Sequence, residues 1–539
     1  MSGIAGVFSV DRKFTGKDLV EWLFSTAVYL RPRGEAGAGV SMIDQWGEIK
    51  VEKKLGPVEQ SLSLDQLKKI SNPSVFSANI HDRYAREEHP NIVNTQPIEL
   101  EPTSHYEATI VADSKLAGWD EMNSWFIHEK PRKTQTGAEV LGRIFLRELE
   151  NTEGNMQEAG KRFFYNMNGK GFFSAIMLLK EKSKGKTYLI ALRDPSAGQP
   201  FHYGKKDGTF FFSSGTYAIE QAGIRTEDIK DVLRGSMLVI SDNGLDIIEY
   251  EELKKTNRKA ECVFEKIYFG CPYDKPLTEL GPEFYRLFDK YFKQLEINPT
   301  YRNKSSNYDI RAILGTCLAE RHPELIDKVD ILAPIPDTGK GVTYGVSKAT
   351  GIPISEALIK ILLARSFQIS DAEFRKLIVD LKNAGLAEFV DGKLVAIGDD
   401  SVVKGGVGGY YSKKKGVLGL LESMGAKELI MLISYASMPF QCINKQDIPY
   451  HRREKMAAEG LYHLPQTVQE KIVGSMLGSG INIPLTLMYQ KNNDIYSIFG
   501  PDHCFACMDG KYPIAEKYIA DGIKAQIDMS YALANKKWV

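Results

Sequence analysis

Apolar positions along the chain follow two rhythms. Residues 2–10 and the stretches 172–179, 187–192, 209–213, 236–240 and 245–250 are short apolar runs separated by turn residues, the mark of strands in hairpin order. Residues 17–30 instead place Leu19, Leu23, Ala27 and Leu30 near one helical face, and 138–149 predicts a second helix. Many short strands with few helices predict packed antiparallel sheets flanked by helices, an αββα domain over residues 1–255. The order then changes. Helical patterns at 282–295 and 309–321 precede an apolar strand at 329–335, the loop PDTGKG and a further helix, the alternation of a parallel α/β sheet, expected over residues 256–480. Another strand is expected at 428–436 and a helix near Val468, and residues 481–539 are read as a C-terminal segment that packs back.

One stretch organises this second half. In LVAIGDDSVVKGGVGG, from Leu394 to Gly409, the run Val395–Ala396–Ile397 suits a buried parallel strand, and Asp399 and Asp400 stand where it ends. Ligands of open α/β sheets bind at such strand ends. Gly405, Gly406, Gly408 and Gly409 allow a tight turn whose backbone N–H groups can face an anion, and Lys404 adds positive charge. Paired acids that accept hydrogen bonds from vicinal hydroxyls, next to a phosphate-holding turn, suit a sugar phosphate. The alternative is a surface loop after a core strand.

Composition narrows the partners. The 539 residues suffice for two to four domains. Hydrophobic residues at 43% and charged residues at 26% are ordinary for a globular protein and argue against disorder. Lys plus Arg equals Asp plus Glu at 69 each, so no global field favours nucleic acid or an anionic membrane, and any phosphate site must be local. The start MSGIAGVFSVDRKF lacks a charged leader region and no apolar run is long enough to span a bilayer, so a cytoplasmic protein is expected. Six cysteines in so long a chain are buried thiols or ligands rather than a disulfide framework. The Cys504-x-x-Cys507 pair, taken alone, fits zinc, redox chemistry or neither.

The motifs SGIAGVF, LRPRGEAGAG from Leu30, HDRY at His81, NTQP at Asn94 and RDPSAGQPF at Arg193 resemble the glutaminase domain of class II glutamine amidotransferases. ECVFEKIYFGCP, PDTGKG and GDDSVVKGG continue that resemblance into a type I phosphoribosyltransferase domain, in the order of the amidophosphoribosyltransferase family. The resemblance implies an N-terminal-nucleophile-hydrolase-like sandwich followed by a phosphoribosyltransferase sheet. In that family an N-terminal cysteine attacks the glutamine amide and its own amine serves as base; here the position is Ser2. The family's oxyanion Asn-Gly pair is matched by Asp113 and Ser114, its Asp-Ser-Glu motif by Gly137, Ala138 and Glu139, and a Gln and Asp by Glu35 and Ala36. Arg83, which would hold a substrate carboxylate, remains. A carboxylate facing a developing oxyanion repels it, so a domain without glutaminase activity is expected, the alternative being Ser2 acting on an unusual amide.

In the second domain the resemblance assigns Asp337, Thr338, Gly339 and Lys340 to the pyrophosphate of phosphoribosyl pyrophosphate (PRPP). It assigns Asp399 and Asp400 to the ribose hydroxyls, directly or through Mg²⁺, and Ser401 to Val407, with Lys404, Gly405 and Gly406, to the 5-phosphate. Lys360 and Arg365 match a basic segment at the start of a mobile flap, although 371–385 also reads as an ordinary surface helix. Two family threonines are replaced by Gly406 and Val407, and about six extra residues, Tyr410 and Tyr411 among them, lengthen the loop. Cys262, Cys442, Cys504 and Cys507 match the ligands of a structural [4Fe-4S] cluster, with zinc or buried thiols as alternatives, while Cys271 and Cys317 are read as core. The implied function is transfer of a phosphoribosyl group to ammonia or an amine, with a non-catalytic regulatory or structural partner as the other reading. The implied partners are a sugar phosphate or nucleotide, further copies of the chain, and a second protein in the non-catalytic case.

Overall fold

The computed structural model describes residues 2–84, 91–126, 131–292, 305–361, 372–403, 416–442 and 456–519. They divide into two units, the first comprising the residues up to Cys262 together with 512–519, the second comprising 263–442 and 456–511. The boundary therefore falls at Cys262 rather than at 255. The residues after 480 are no separate segment: they complete the second unit as far as Lys511, and 512–519 belong to the first. There Ala515 N–H donates to the Gly169 carbonyl at 3.1 Å and the Tyr518 hydroxyl to Glu121 at 2.8 Å.

The strands of the first unit are β1 (Gly3–Ser9), β2 (Gly37–Asp44), β3 (Ile49–Leu55), β4 (Val75–Arg83), β5 (Ile98–Glu99), β6 (Tyr106–Leu116), β7 (Gly171–Glu181), β8 (Thr187–Arg193), β9 (His202–Lys206), β10 (Thr209–Ser213), β11 (Lys230–Asp231), β12 (Ser236–Ser241) and β13 (Gly244–Glu249). They form a seven-stranded sheet in the order β11-β9-β10-β1-β4-β2-β3 and a six-stranded sheet in the order β13-β12-β8-β7-β6-β5. Pairing is antiparallel, with β1 between β4 and β10 and β6 running the full length of β7. Ile4, Phe8, Phe76, Val111, Ile176 and Leu189 fill the core shared by the two sheets. On β6 the neighbours Ile110 and Ala112 belong to a different core, with Leu141, Phe145 and Phe163, because side chains alternate across a strand. That second core lies beneath the helices α2 (Gly137–Asn151) and α3 (Met156–Met167). Each such buried phenylalanine stabilises the unit enough that truncation to alanine costs about 3–5 kcal/mol. Helix α1 (Gly16–Leu30) buries Leu19, Leu23, Ala27 and Leu30 as its pattern predicts, together with Trp22, whose indole N–H donates to the Ala218 carbonyl at 3.1 Å. The αββα expectation describes this unit.

In the second unit the strands of the main sheet and of a small ribbon are β14 (Ile331–Pro334), β15 (Leu358–Lys360), β16 (Asn383–Gly385), β17 (Leu394–Asp399), β18 (Glu428–Ile433) and β19 (Leu485–Tyr489). The main sheet runs β14-β17-β18-β19, every neighbouring pair parallel, and β15 pairs with β16 in a separate antiparallel ribbon. Val395 and Ile397 face a core with Leu421, Val473 and Leu477, whereas Ala396 faces one with Leu318, Val342 and Val346. A strand covered on both faces needs the unbroken apolar run seen in the sequence. Leu318 comes from α4 (Asn307–Arg321), and Val342 and Val346 from α5 (Lys340–Thr350). The surface-helix alternative for 371–385 is partly realised: α6 (Ala372–Leu381) precedes β16. Among the described residues no helix is long and apolar enough to cross a membrane.

Candidate functional site

Two adjacent parallel strands deliver the acidic pair and the glycine loop to one place. β17 ends at Asp399, and the loop after β14 returns beside it, Ile335 N–H donating to the Gly398 carbonyl at 3.0 Å. The approach is close: a Cβ on Gly339 would overlap that same carbonyl oxygen, and one on Gly398 would overlap Thr343 Oγ1. Only residues without a side chain fit at 339 and 398. Gly339 then leads into α5 without a capping side chain, leaving a helix N-terminus of the kind that favours anions.

Asp399 and Asp400 are both 2% exposed. Thr338 Oγ1 and the Asp400 N–H each donate to Asp399 Oδ1 at 2.9 Å, and Ser401 Oγ donates to Asp400 Oδ1 at 2.8 Å. The main chain of the pair is pinned to the end of β18, where Ser434 N–H and Tyr435 N–H donate to the Asp399 and Asp400 carbonyls at 3.1 and 2.9 Å. Burial pushes the Asp399 carboxyl up to about 6, against these hydrogen bonds and the more distant charges of Lys382 and Arg311. Hard carboxylate oxygens in such a setting fit Mg²⁺, and a bound cation would supply the compensation that burial now denies. On the other side of the loop, Asp337 adopts a left-handed backbone at φ 71°. Burial pushes its carboxyl up, but the ammonium of Lys360 at 2.5 Å holds it, on balance, below the usual range, with smaller contributions from Lys340 and Lys382.

Of the residues expected to bind a sugar phosphate, Asp337, Thr338, Gly339, Lys340, Lys360, Asp399, Asp400 and Ser401 are described, and the loop and acid pair meet through Thr338 and Asp399. Lys404, Gly405, Gly406, Val407, Tyr410, Tyr411 and Arg365 lie outside the described residues. Arg311, whose guanidinium donates to the Gly270 carbonyl at 2.7 Å, and Lys382 were not anticipated. Lys382 falls in the stretch 371–385 read as a surface helix, and Arg311 reads as an ordinary helix position, so neither carried a signal.

In the first unit Ser2 is buried at the start of β1. Val111, Asp113 and Lys115 share one face of β6, and Asp113 there accepts from Ser2 N–H at 3.3 Å, lies 3.3 Å from Lys115 Nζ and pairs with Arg33 at 3.7 Å. Arg33 Nε also donates to the Ser2 carbonyl, and Tyr84 N–H to Ser2 Oγ, both at 3.3 Å. Asp113, Arg33 and Lys115 are each at most 5% exposed, so the place expected for oxyanion donors holds a closed ionic cluster. Arg33 lies inside the LRPRGEAGAG motif and Lys115 stands two residues after Asp113, so Lys115 at least could have been singled out as a partner for that acid. Arg83 donates to the Asn91 carbonyl at 2.6 Å. Ser114 packs against Gly137, where an added Cβ would overlap its Oγ. Glu139 accepts from the backbone N–H groups of Lys133 and Thr134 at 2.9 and 2.7 Å and faces Arg143, so it ties down its own loop. Glu35 pairs with Arg31. His81 is fully buried, and burial with the nearby Arg83 charge pushes its imidazole down to about 3, leaving it neutral.

Among the described residues the cysteines form no disulfide. In the second unit Cys507 has the Tyr435 hydroxyl 3.0 Å from its sulfur, and its thiol is pushed up by burial and further by Cys504 and Cys442 nearby. Cys262 is the last residue of the first unit's main segment. Among the described residues no group of three or more His, Cys, Asp or Glu is arranged to hold a metal ion. Thiolate donors fit iron-sulfur ligation by their chemistry, but the described cysteines form no ready cage. Cys271 and Cys317 are buried, and burial pushes the Cys317 thiol up to about 12.

No family model matches the chain. The amidophosphoribosyltransferase of Methanocaldococcus jannaschii is 25% identical over 531 residues, spanning 95% of this chain and 98% of that protein. That of Pyrococcus horikoshii is 26% identical over 460 residues, 85% of this chain and 86% of its own length. Among solved structures, the glutamine PRPP amidotransferase from B. subtilis complexed with ADP and GMP matches with a TM-score of 0.71 at 20% identity, covering 95% of this chain and 97% of that one. A structure of the allosteric regulatory enzyme of purine biosynthesis matches equally, with a TM-score of 0.71 at 19% identity over 97% of this chain and 98% of that one. These likenesses establish the fold of both units, an N-terminal-nucleophile-hydrolase-like sandwich and a type I phosphoribosyltransferase sheet.

Proposed function

We propose, for a chain that belongs to the amidophosphoribosyltransferase family, that the second unit binds PRPP with Mg²⁺ and transfers its phosphoribosyl group to ammonia or an amine. The observation that carries this reading is the Thr338–Asp399 hydrogen bond, which joins the glycine loop to the acid pair at neighbouring strand ends. Asp399 and Asp400 would hold the ribose hydroxyls and Mg²⁺, whose positive charge offsets the charge of departing pyrophosphate. The loop amides and the start of α5 would hold the pyrophosphate end. In the transfer the bond from the anomeric carbon to the pyrophosphate oxygen breaks and its electron pair leaves with pyrophosphate. The nitrogen lone pair forms the new bond, and the nitrogen releases a proton to solvent.

The first unit is proposed to hydrolyse no glutamine. This is supported by Asp113, neutralised by Arg33 and Lys115 where donors to an oxyanion are needed. Cys262, Cys442, Cys504 and Cys507 are proposed as iron-sulfur ligands, on the match of their positions to the family's cluster cysteines and on the chemistry of four thiolates. Protein purified anaerobically should then carry about four iron atoms per chain, and a zinc-only metal content rejects the cluster.

Calorimetry with PRPP and Mg²⁺ tests the main reading: binding is expected, and its loss in an Asp399→Asn, Asp400→Asn double variant. No binding, or binding unchanged in the double variant, refutes it. Incubation with PRPP, Mg²⁺ and a panel of amines, followed by mass spectrometry, identifies the acceptor.

A further inference from the structure

The loop that should receive pyrophosphate already presents a carboxylate of its own to the neighbouring lysines. Lys360 Nζ stands 2.5 Å from Asp337 Oδ2. Lys340 and Lys382 act on the same carboxylate from further off. Three ammonium groups from three elements, the start of α5, β15 and the residue before β16, therefore converge on one negative group. The same loop is tied on its other side to Asp399 through Thr338, which places the lysines beside the acid pair.

The exposures say which partner gives way. The Lys360 side chain is 18% exposed and that of Asp337 59%. Lys360 is held by its strand pairing with Asn383, whereas Asp337 sits on a loop and reaches the lysine from the solvent side. Asp337 also has a left-handed backbone, a conformation that aspartate and asparagine tolerate better than most residues. A dianionic or more highly charged ligand arriving at the loop would compete directly with this single carboxylate for the lysines.

We propose that Asp337 is an internal stand-in for pyrophosphate, its carboxylate keeping Lys360 engaged before ligand arrives and being displaced when the pyrophosphate group binds. Lys382, whose carbonyl accepts from Ile361 N–H at 2.8 Å and which therefore lies across the ribbon beside Lys360, joins Lys340 and Lys360 in binding the pyrophosphate. This rests on the reading of the second unit as a PRPP site and adds to it a competing contact that sets affinity. It makes two consequences differ from those of a simple lysine-lined pocket. Removing the carboxylate strengthens binding, and most of that gain depends on Lys360, the lysine in direct contact with it.

A four-protein cycle tests this: wild type, Asp337→Asn, Lys360→Met and the double variant, each titrated calorimetrically with pyrophosphate and with PRPP in the presence of Mg²⁺. Asparagine keeps the left-handed loop, and neither side chain belongs to the core. A half-exposed ion pair is worth up to about 1 kcal/mol, so Asp337→Asn should tighten pyrophosphate binding about two- to five-fold. Lys360→Met and, in a separate variant, Lys382→Met should weaken it. In the Lys360→Met background, where only the more distant Lys340 and Lys382 remain, the Asp337→Asn change should tighten binding by less than about two-fold. Equal tightening in both backgrounds would show plain repulsion rather than displacement and overturn the proposal, as would no tightening in either. Absence of binding in all proteins instead defeats the PRPP reading itself, and the stand-in with it.

Discussion

Replacing Asp399 by asparagine should make the ligand-free protein more stable while destroying its ligand binding. Asp399 is fully buried and burial pushes its carboxyl from an ordinary 3.8 up to about 6. For an acid raised in the folded state, stability is complete below about pH 4, is withdrawn as pH rises from 4 to 6, and stays withdrawn above. At pH 7.5 the wild type therefore carries a cost of about 3 kcal/mol for ionising this group, by the usual conversion of about 1.4 kcal/mol per pH unit. The substituted side chain is neutral throughout, and its carbonyl oxygen can still accept from Thr338 Oγ1 and Asp400 N–H. Asp399→Asn should then gain about 2–3 kcal/mol at pH 7.5, roughly 5–10 °C in the melting of a unit this size. At pH 4 the gap should shrink to less than about 1 kcal/mol. Scanning calorimetry at the two pH values measures both. If the variant melts at or below wild type at pH 7.5, or if the gap is the same at pH 4, burial is not what perturbs Asp399 and the argument fails.

The same shift gives ligand binding a pH profile: since the cation needs Asp399 ionised, PRPP affinity should rise up to about tenfold per unit as pH increases towards 6 and level off by 7, with proton release seen in buffers of different ionisation heat. Asp113→Ala should cost about 3–5 kcal/mol in chemical denaturation of the first unit, because Arg33 and Lys115 would remain buried without their carboxylate. On the proposed reading, in which Asp113 stands where an oxyanion donor is expected, Ser2→Cys alone should release no ammonia from glutamine above background in a coupled assay. Gly339→Ala should abolish PRPP binding and lower the melting temperature, its Cβ having no room beside the Gly398 carbonyl.

The sequence revealed elements whose two faces have a simple relation to water. Val395 to Ile397 announced β17 because both faces are apolar, and α1 announced itself through a single apolar stripe. Strands β4 and β6 were harder. β4 buries Ser77, Asn79 and His81 as completely as Phe76, Ala78 and Ile80, so its polar alternation resembles a solvent-facing strand when it is interior on both sides. β6 ends in Asp113-Ser114-Lys115-Leu116, whose first three residues read as loop because each is ordinarily solvated; only the long-range partner Arg33 makes them tenable indoors. The acid pair and glycine loop were legible as motifs, and their mutual approach followed from parallel topology. The Asp337–Lys360 contact was not legible, since it joins positions 23 residues apart through tertiary structure alone.

The Arg33–Asp113–Lys115 cluster also constrains where this chain can go next. On the proposed reading, a path to an amide-cleaving site must replace Asp113 with a neutral donor, yet that single step strands two cations in the interior. Replacing either cation first leaves Asp113 paired with the other, and the next change at the remaining pair then strands one buried charge. Each one-residue route descends through a less stable protein, so the cluster works as a ratchet: it permits drift elsewhere in the first unit while holding this corner to its present charge pattern, and reversal requires coordinated changes at several positions together.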